Sequence, residues 1–347
     1  MGHTVEIRND SGSQLFTCVS GERLLYAGLS GGADLPYGCA TGTCGNCRAT
    51  LLSGEVETLW KEAPGSRALK KEGEILLCQS TPLRNCVLEA RAGDSRHQRD
   101  TPMTHQASVS SVARDEDGLA WVVLKLQRPM RFLAGQFVLV SIPGVEGFRA
   151  YSPAHDGADV VELALLVREK PGGGVSPLLC GQQQVGTQVT VFGPLGTAHV
   201  HPAQDHDMAV LVGGSGAGVA LSLLDWAKAT GHLSRHRLDV VCGLRTLRSQ
   251  QVIERLVEAA KSASENLRVV VALSDEPADA DLPQAIPGLT YERGFVHELA
   301  SELLSTEEWK KRAVFVAGPP PMVEASMRML LLRAKLSPTK IRYDSFS

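Results

Sequence analysis

Apolar positions along the chain fall into three regimes. From Val5 to about Ala92 the apolar runs are short, with strand candidates at Thr4–Ile7 and Leu15–Val19, one helical stretch at Arg23–Leu29 and a further strand at Cys47–Leu52. A polar excursion, Gly54-Glu-Val-Glu-Thr-Leu-Trp-Lys-Glu-Ala-Pro-Gly65, follows. Gly93–Gln106 is polar and lacks periodicity, and it reads as a linker. From about Ala107 to His199, runs rich in β-branched and aromatic residues (Trp121–Leu126, Phe137–Ile142, Val160–Val167, Gln188–Phe192) are divided by Gly, Pro and Asp turns. Many short strands in so small a segment predict a barrel. From about Asp205 onward, apolar strands alternate with helices. The strands are Met208–Val212, Leu238–Cys242, Leu267–Leu273, Val314–Ala317 and Lys340–Tyr343; the helices are Ala220–Ala229, Gln250–Ala263, Val296–Leu304 and Met322–Lys335. Strands without a polar face, each followed by a helix, predict a parallel, doubly wound sheet. The expected fold class is thus a β and α/β multi-domain chain, with domains over 1–94, 107–203 and 204–347 and a linker at 95–106.

Four cysteines add chemistry to the first regime. Cys39, Cys44 and Cys47 sit in Tyr37-Gly-Cys-Ala-Thr-Gly-Thr-Cys-Gly-Asn-Cys47, and Cys78 follows in Leu76-Leu-Cys-Gln-Ser80. The spacing is C-x4-C-x2-C, then thirty residues, then C, which is the plant-type ferredoxin arrangement for a [2Fe–2S] cluster. Two irons need two thiolates each, and one short loop must bring three of the four. Gly38, Gly42 and Gly45 let that loop curl and aim backbone N–H groups at cluster sulfurs. Zinc knuckles favour paired C-x2-C units, of which there is one here. Short mixed strands around one helix then fit a ferredoxin-like β-grasp domain. The scattered Cys18, Cys86, Cys180 and Cys242 read as small buried hydrophobes.

Composition narrows the class further. A chain of 347 residues is long for one core. A net charge of −3 with 5% aromatic residues offers no basic, aromatic-rich surface for nucleic acid. No apolar run reaches membrane-spanning length, and Met1-Gly-His-Thr-Val-Glu-Ile-Arg8 carries no apolar signal segment. Eight cysteines in that context argue for a reducing compartment, so a cytoplasmic location is expected.

Further motifs carry the remaining chemistry. Phe148-Arg-Ala-Tyr-Ser-Pro153 places Arg149 and Tyr151 on one strand face by the period of two, with Ser152 beside them. An arginine suits a pyrophosphate and a tyrosine suits packing on a flavin, although a half-buried strand end explains these residues equally well. Val167-Arg-Glu-Lys-Pro-Gly-Gly-Gly-Val-Ser176 supplies Arg168 and then Gly173, Gly174, Val175 and Ser176 at a helix start, where backbone N–H groups can approach phosphate; a plain turn is the simpler account. Strand Met208–Val212 runs into Gly213-Gly214-Ser215-Gly216 and a helix, the strand–glycine turn–helix context of nucleotide binding. Val316-Ala-Gly318-Pro319-Pro320 again joins a strand to a helix. His297 reads as a helix-start residue rather than a catalyst.

In this order the motifs resemble ferredoxin–NADP reductase-type flavoproteins with a fused N-terminal plant-type ferredoxin, the reductase components of bacterial multicomponent oxygenases. Leu51–Gly65, Phe148–Ser152 and Tyr343-Asp-Ser-Phe-Ser347 look most like reductases of toluene-type di-iron monooxygenases. The resemblance implies a β-grasp ferredoxin domain, a six-stranded-type FAD-binding barrel and a parallel NAD-binding domain. It implies that Arg149 contacts the FAD diphosphate, Tyr151 packs on the flavin, Ser152 bonds near N5, and Gly173–Ser176 hold the pyrophosphate. Gly193-Pro-Leu-Gly196 matches the turn that closes the barrel. Gly213–Gly216 take the NAD pyrophosphate, Gly243 and Arg245 lie at the adenosine ribose, Gly318-Pro319-Pro320 flank the nicotinamide, and Phe346 covers the flavin. The implied path runs from NADH, with NADPH possible, through FAD and the cluster to an oxygenase (hydroxylase) component or its small carrier. No catalytic acid or base is required. The chain departs from the family at Ala317, where a cysteine is usual, at Val219, where a proline is usual, and in the loop Gly243–Arg248, which lacks a ribose-binding carboxylate. The rival readings are the reductase of a Rieske-type ring-hydroxylating dioxygenase, and a ferredoxin-like carrier or redox sensor with a decayed nucleotide lobe.

Overall fold

Alternation along eight-residue runs builds the first sheet. In the strand Gly2–Asn9 (β1), Val5 and Ile7 are buried while their neighbours face out, and in Gly12–Val19 (β2) Phe16 and Cys18 are buried in the same way. The computed structural model describes residues 2–10, 12–93, 100–181, 184–201, 203–262 and 265–345. β1 pairs antiparallel with β2 and parallel with Cys86–Glu89 (β7). Between them come the helix Leu24–Ser30 (α1), the strands Arg48–Ser53 (β3), Val56–Thr58 (β4), Glu74–Leu76 (β5) and Ser80–Pro82 (β6), and short 3-10 turns at Pro64–Ala68 and Leu77–Gln79. The sheet order β2-β1-β7-β3-β5 with one covering helix is the β-grasp, as the short mixed runs predicted. Part of the excursion 54–65 is strand, because β4 pairs with β6.

The barrel strands are Met103–Arg114 (β8), Leu119–Phe132 (β9), Phe137–Ser141 (β10), Arg149–Tyr151 (β11), Gly157–Arg168 (β12) and Gln188–Leu195 (β13), with the one-turn helix Ser176–Cys180 (α2). Their order is β11-β10-β13-β8-β9-β12, and Pro153, just past β11, bridges to Leu165 of β12, so the sheet returns on itself. Two expectations change here. β8 begins at Met103, inside the stretch 95–106 read as linker, because ladder partners on β9 bond a run whose own apolar signal is weak. Residues 95–99 of that stretch lie outside the described residues. Gly193–Leu195, expected in a turn, continue β13, and Val191, Phe192 and Leu195 are all buried.

The last segment holds Met208–Gly213 (β14), Ala217–Ala229 (α3), Leu238–Leu244 (β15), Gln250–Ser262 (α4), Leu267–Leu273 (β16), Leu289–Arg293 (β17), Val296–Leu303 (α5), Thr306–Lys310 (α6), Ala313–Gly318 (β18), Pro320–Arg328 (α7) and Ile341–Ser345 (β19). Its order β17-β16-β15-β14-β18-β19 is parallel throughout. Val210 and Val212 of β14 pack in one core with α3 and α4, while Ala209 and Leu211 pack in another with Val296, Ala300 and Trp309. Both faces are covered, which is why these strands read as unbroken apolar runs. The helix expected over Met322–Lys335 is α-helical through Arg328 and widens to a π-turn at Met329–Arg333. β17 and α6 were not expected.

The chain divides into two compact units: residues 1–104 with 147–150 and 192–197, and residues 105–146, 151–191 and 198–347. Among the described residues no helix is long and apolar enough to cross a membrane.

Candidate functional site

In the first unit the four expected cysteines meet as two pairs. The Cys39 and Cys44 thiols lie together: the Cys39 N–H donates to Cys44 Sγ and the Cys44 N–H to Cys39 Sγ, both at 3.4 Å. Cys47 Sγ and Cys78 Sγ are 3.2 Å apart. The N–H groups of Thr41 and Asn46 also donate to Cys39 and Cys44. Two thiolates per iron is the division a [2Fe–2S] cluster needs, whereas among the described residues no three His, Cys, Asp or Glu side chains gather for a single ion. Within the first pair the shared hydrogen bond lowers the Cys39 thiol to about 4 and raises the Cys44 thiol. Gly45 has φ +77°, and a methyl there would lie 2.6 Å from Ala68 Cβ and 2.9 Å from Gly65 O, so the loop closes only with glycine. The residues present fit the cluster. Cys18, Cys86, Cys180 and Cys242 are buried, and burial raises each thiol, to about 12 for Cys18 and Cys242.

The flavin candidates sit where their strand places them. Arg149 is exposed, and its Nη1 donates to the Phe148 carbonyl at 2.9 Å. Tyr151 packs against the barrel core. Ser152 is buried and its Oγ has no hydrogen-bond partner among the described residues, an orphaned group that fits a polar flavin edge. Gly173 and Gly174 turn the chain into α2, and the turn is pinned by Lys170 N–H donating to Ser176 Oγ at 3.0 Å. Val175 is buried in the barrel core, so only its backbone can serve a ligand. Phe346 lies outside the described residues.

The nucleotide candidates converge at the carboxyl edge of the parallel sheet. β14 and β18 are adjacent although consecutive strands from β14 to β17 run the other way, which makes their junction the topological switch point, where ligands of open α/β sheets bind. Gly213 pairs with Gly243 in register, and a methyl on Gly216 would lie 2.3 Å from Ala317 O. Gly318 takes φ +154°, and a methyl there would meet Gly213 O at 2.9 Å. Pro319 and Pro320 are exposed at the start of α7. Ala317 and Val219, the two departures from the family, are buried packing residues.

Two residues, Asp117 and Asp344, escaped the sequence reading. Arg168, expected only as a cofactor residue beside the glycines 172–174, carries its Nε to within 3.7 Å of the Cβ position of Gly214, over the nucleotide turn. Burial and then the charge of Arg245 lower its pKa. Asp117 accepts from Thr246 N–H and Oγ1 and from Ser249 Oγ at 2.8–3.3 Å, and its carbonyl accepts from Arg168 Nη1 at 2.7 Å. A carboxylate therefore does serve the loop 243–248, contributed from elsewhere in the chain. Asp344 pairs with Ala317 in register; its Oδ2 is enclosed and has no hydrogen-bond partner among the described residues, and burial pushes its carboxyl up to about 7. His297 stands on the first turn of α5, as expected.

The family model for the 2Fe-2S iron-sulfur cluster binding domain matches residues 8–83, and that for the oxidoreductase FAD-binding domain matches 107–200. The chain is 32% identical over 334 residues to the ferredoxin–NAD(+) reductase component of the alkene monooxygenase system of Xanthobacter autotrophicus, covering 95% of this chain and 97% of that one. It belongs to the ferredoxin–NAD(P)+ reductase components of oxygenase systems. This reductase is also 33% identical to the aromatic O-demethylase reductase subunit of an Amycolatopsis species, over 97% of both chains. It superposes on the ferredoxin reductase of carbazole 1,9a-dioxygenase with a TM-score of 0.82, at 29% identity, covering 100% of this chain and 99% of that one. Its cofactors are thus a [2Fe–2S] cluster and FAD, and it is an NAD(P)H-dependent oxidoreductase that passes electrons to an oxygenase component.

Proposed function

We propose that this reductase takes hydride from NADH at the β14/β18 edge and delivers electrons through FAD in the barrel to a cluster held by Cys39, Cys44, Cys47 and Cys78, for a cytoplasmic monooxygenase of the toluene-type di-iron class. The observation that carries the reading is the convergence of Gly213, Gly243 and Gly318, under Arg168, in a chain whose other unit pairs four thiols. FAD supplies, when bound, the conversion of a two-electron hydride into single electrons, and the cluster supplies one-electron storage. The chain's own work is placement. Gly213–Gly216 open their N–H groups toward a pyrophosphate, Arg168 neutralises it, Arg245 stands at the adenosine ribose, and Gly318 gives the nicotinamide a wall without a side chain. Ser152 Oγ is a buried donor for the flavin edge, and Arg149 is free to turn from its own backbone to a diphosphate. We assign the domains to 1–94, 107–203 and 204–347. A net charge of −3 with 5% aromatic residues argues against nucleic acid as a partner. The carbazole dioxygenase likeness keeps a Rieske-type partner as the second reading.

One experiment tests the whole path. Protein reconstituted with FAD, iron and sulfide is mixed anaerobically with NADH. The flavin absorbance should bleach, and the signal of a reduced [2Fe–2S] cluster should follow. Bleaching without that signal, in iron-replete protein, would refute the order of carriers. Turnover with a purified di-iron hydroxylase against a Rieske oxygenase then separates the two partner readings.

The ribose loop supports NADH. Arg245 lies 3.9 Å from Asp275 and Arg248 lies 3.8 Å from Glu116, all four side chains being exposed. Both cations that could take a 2′-phosphate thus have acidic neighbours. Arg248→Glu should lower kcat/KM for NADPH about tenfold, or about 1.4 kcal/mol, and leave NADH within about twofold. Equal losses with both nucleotides would show that Arg248 does not read the ribose.

A further inference from the structure

We propose that Arg23, the N-cap residue of α1, and Tyr26, three residues further on, set the reduction potential of the [2Fe–2S] cluster and hold its ligand loop in place. Neither residue is a ligand; both are positioning residues. The inference rests on the reading of Cys39, Cys44, Cys47 and Cys78 as the ligands.

Each residue holds a backbone carbonyl of the cluster's own framework. Arg23 Nη1 donates to the carbonyl of Cys78 at 2.7 Å. Tyr26 Oη donates to the carbonyl of Ala40, the residue after Cys39, at 2.9 Å in a buried bond. Ala40 is a non-glycine residue at φ +57°, in the left-handed region that a Cβ disfavours and that the surrounding structure must hold. The two side chains are themselves fixed. The Tyr26 ring stacks on Phe192, with centroids 4.8 Å apart, and takes the edge of Phe148 at 5.2 Å. The Arg23 guanidinium lies 5.7 Å from the centroids of both Tyr26 and Phe148, within range of a cation–π attraction. All of these residues belong to the first unit. Tyr26 is 5% exposed, so the phenol also shields the loop from water.

The electrostatic consequence has a definite sign. Reducing the cluster adds one negative charge. A half-buried guanidinium on the carbonyl of a ligand residue stabilises that charge more than a solvated surface cation does, because screening is weaker there. Two carbonyls of the ligand framework are each occupied by a donor. Net charge, hydrogen bonding and solvent exposure are the levers by which a protein tunes such a cluster. Arg23 and Tyr26 therefore raise the potential and favour the electron on the cluster over the flavin.

The test is a redox titration of the reconstituted holoprotein, followed by the signal of the reduced cluster, with iron content measured on the same samples. Arg23→Gln removes the charge and keeps a donor. It should shift the one-electron equilibrium away from the reduced cluster about tenfold, equivalent to about 59 mV. Arg23→Lys keeps the charge and should stay within about twofold of the parent. Tyr26→Phe keeps the ring stack, removes the bond to Ala40 and should shift the equilibrium in the same direction as Arg23→Gln, by less. An unmoved potential in iron-replete Arg23→Gln would overturn the proposal, and so would equal shifts in the Gln and Lys proteins, which would make the effect one of packing. If Arg23→Gln retains no iron, Arg23→Lys and Tyr26→Phe decide. An iron-replete Lys protein lowered tenfold, or a Phe protein unmoved, would overturn it. Parent protein without iron would instead refute the ligand assignment.

Discussion

Cys44→Ala should abolish electron delivery to the oxygenase while leaving a yellow, FAD-loaded protein that NADH still bleaches. About two irons per chain should fall to near zero, because a [2Fe–2S] cluster needs four thiolates and this loop holds no fifth. Cys44 is the right ligand to remove because it is exposed, whereas Cys47 and Cys78 are 2% and 0% exposed and would test the core as well as the cluster. The loss of packing at Cys44 is small, so folding should persist. Iron and flavin assays, with ferricyanide reduction as a measure of the flavin half-reaction, separate the two functions. A Cys44→Ala protein that keeps its iron and still reduces the oxygenase would remove Cys44 from the ligand set.

Gly216→Ala should cost the nucleotide step about a hundredfold, equivalent to about 2.7 kcal/mol. Gly216 has ordinary helical dihedrals, so backbone strain is not the cause. The cause is space. The added methyl would stand 2.3 Å from the carbonyl oxygen of Ala317 and 2.6 Å from its carbon. Both belong to the backbone of β18, which pairs with β14 and cannot move aside as a side-chain tip can. The glycine turn must retreat from Ala317–Gly318, and the two walls of the nucleotide site separate. Rapid mixing with saturating NADH should show slow flavin bleaching, while dithionite should reduce flavin and cluster as in the parent. Parent-like bleaching by NADH would mean that the turn is not the entry site.

Much of this protein was legible before any coordinates. The meeting of the four cysteines was, because a single loop of nine residues, Cys39–Cys47, holds three of them and local spacing encodes the geometry. The parallel sheet was, because strands covered on both faces have no polar side to disguise them. α6 could have been read from Ser305 and Glu308, which form a capping box, with Glu308 N–H donating to Ser305 Oγ and Ser305 N–H to Glu308 Oε2. β8 was harder, since its buried positions begin with His105 and its register comes from ladder partners. β17 buries Leu289 alone among its side chains and takes its strand character from pairing with β16.

The sequence by itself determined which chemistry the chain carries: four thiolates at cluster spacing, a glycine turn after an apolar strand and an Arg-x-Tyr-Ser strand. Each is a local pattern in which neighbours in the chain are neighbours in space. Only the tertiary structure decided how these parts are tuned. Asp117 reaches Thr246 and Ser249 across 129 and 132 residues of chain. Arg23 reaches the carbonyl of Cys78 across 55. Arg168 leaves the neighbourhood of the glycines at 172–174 for the turn at Gly214. Hydrogen bonds and charges act over a few ångströms, and no periodicity or spacing in a one-dimensional string records which distant residues the folded sheets bring within that range.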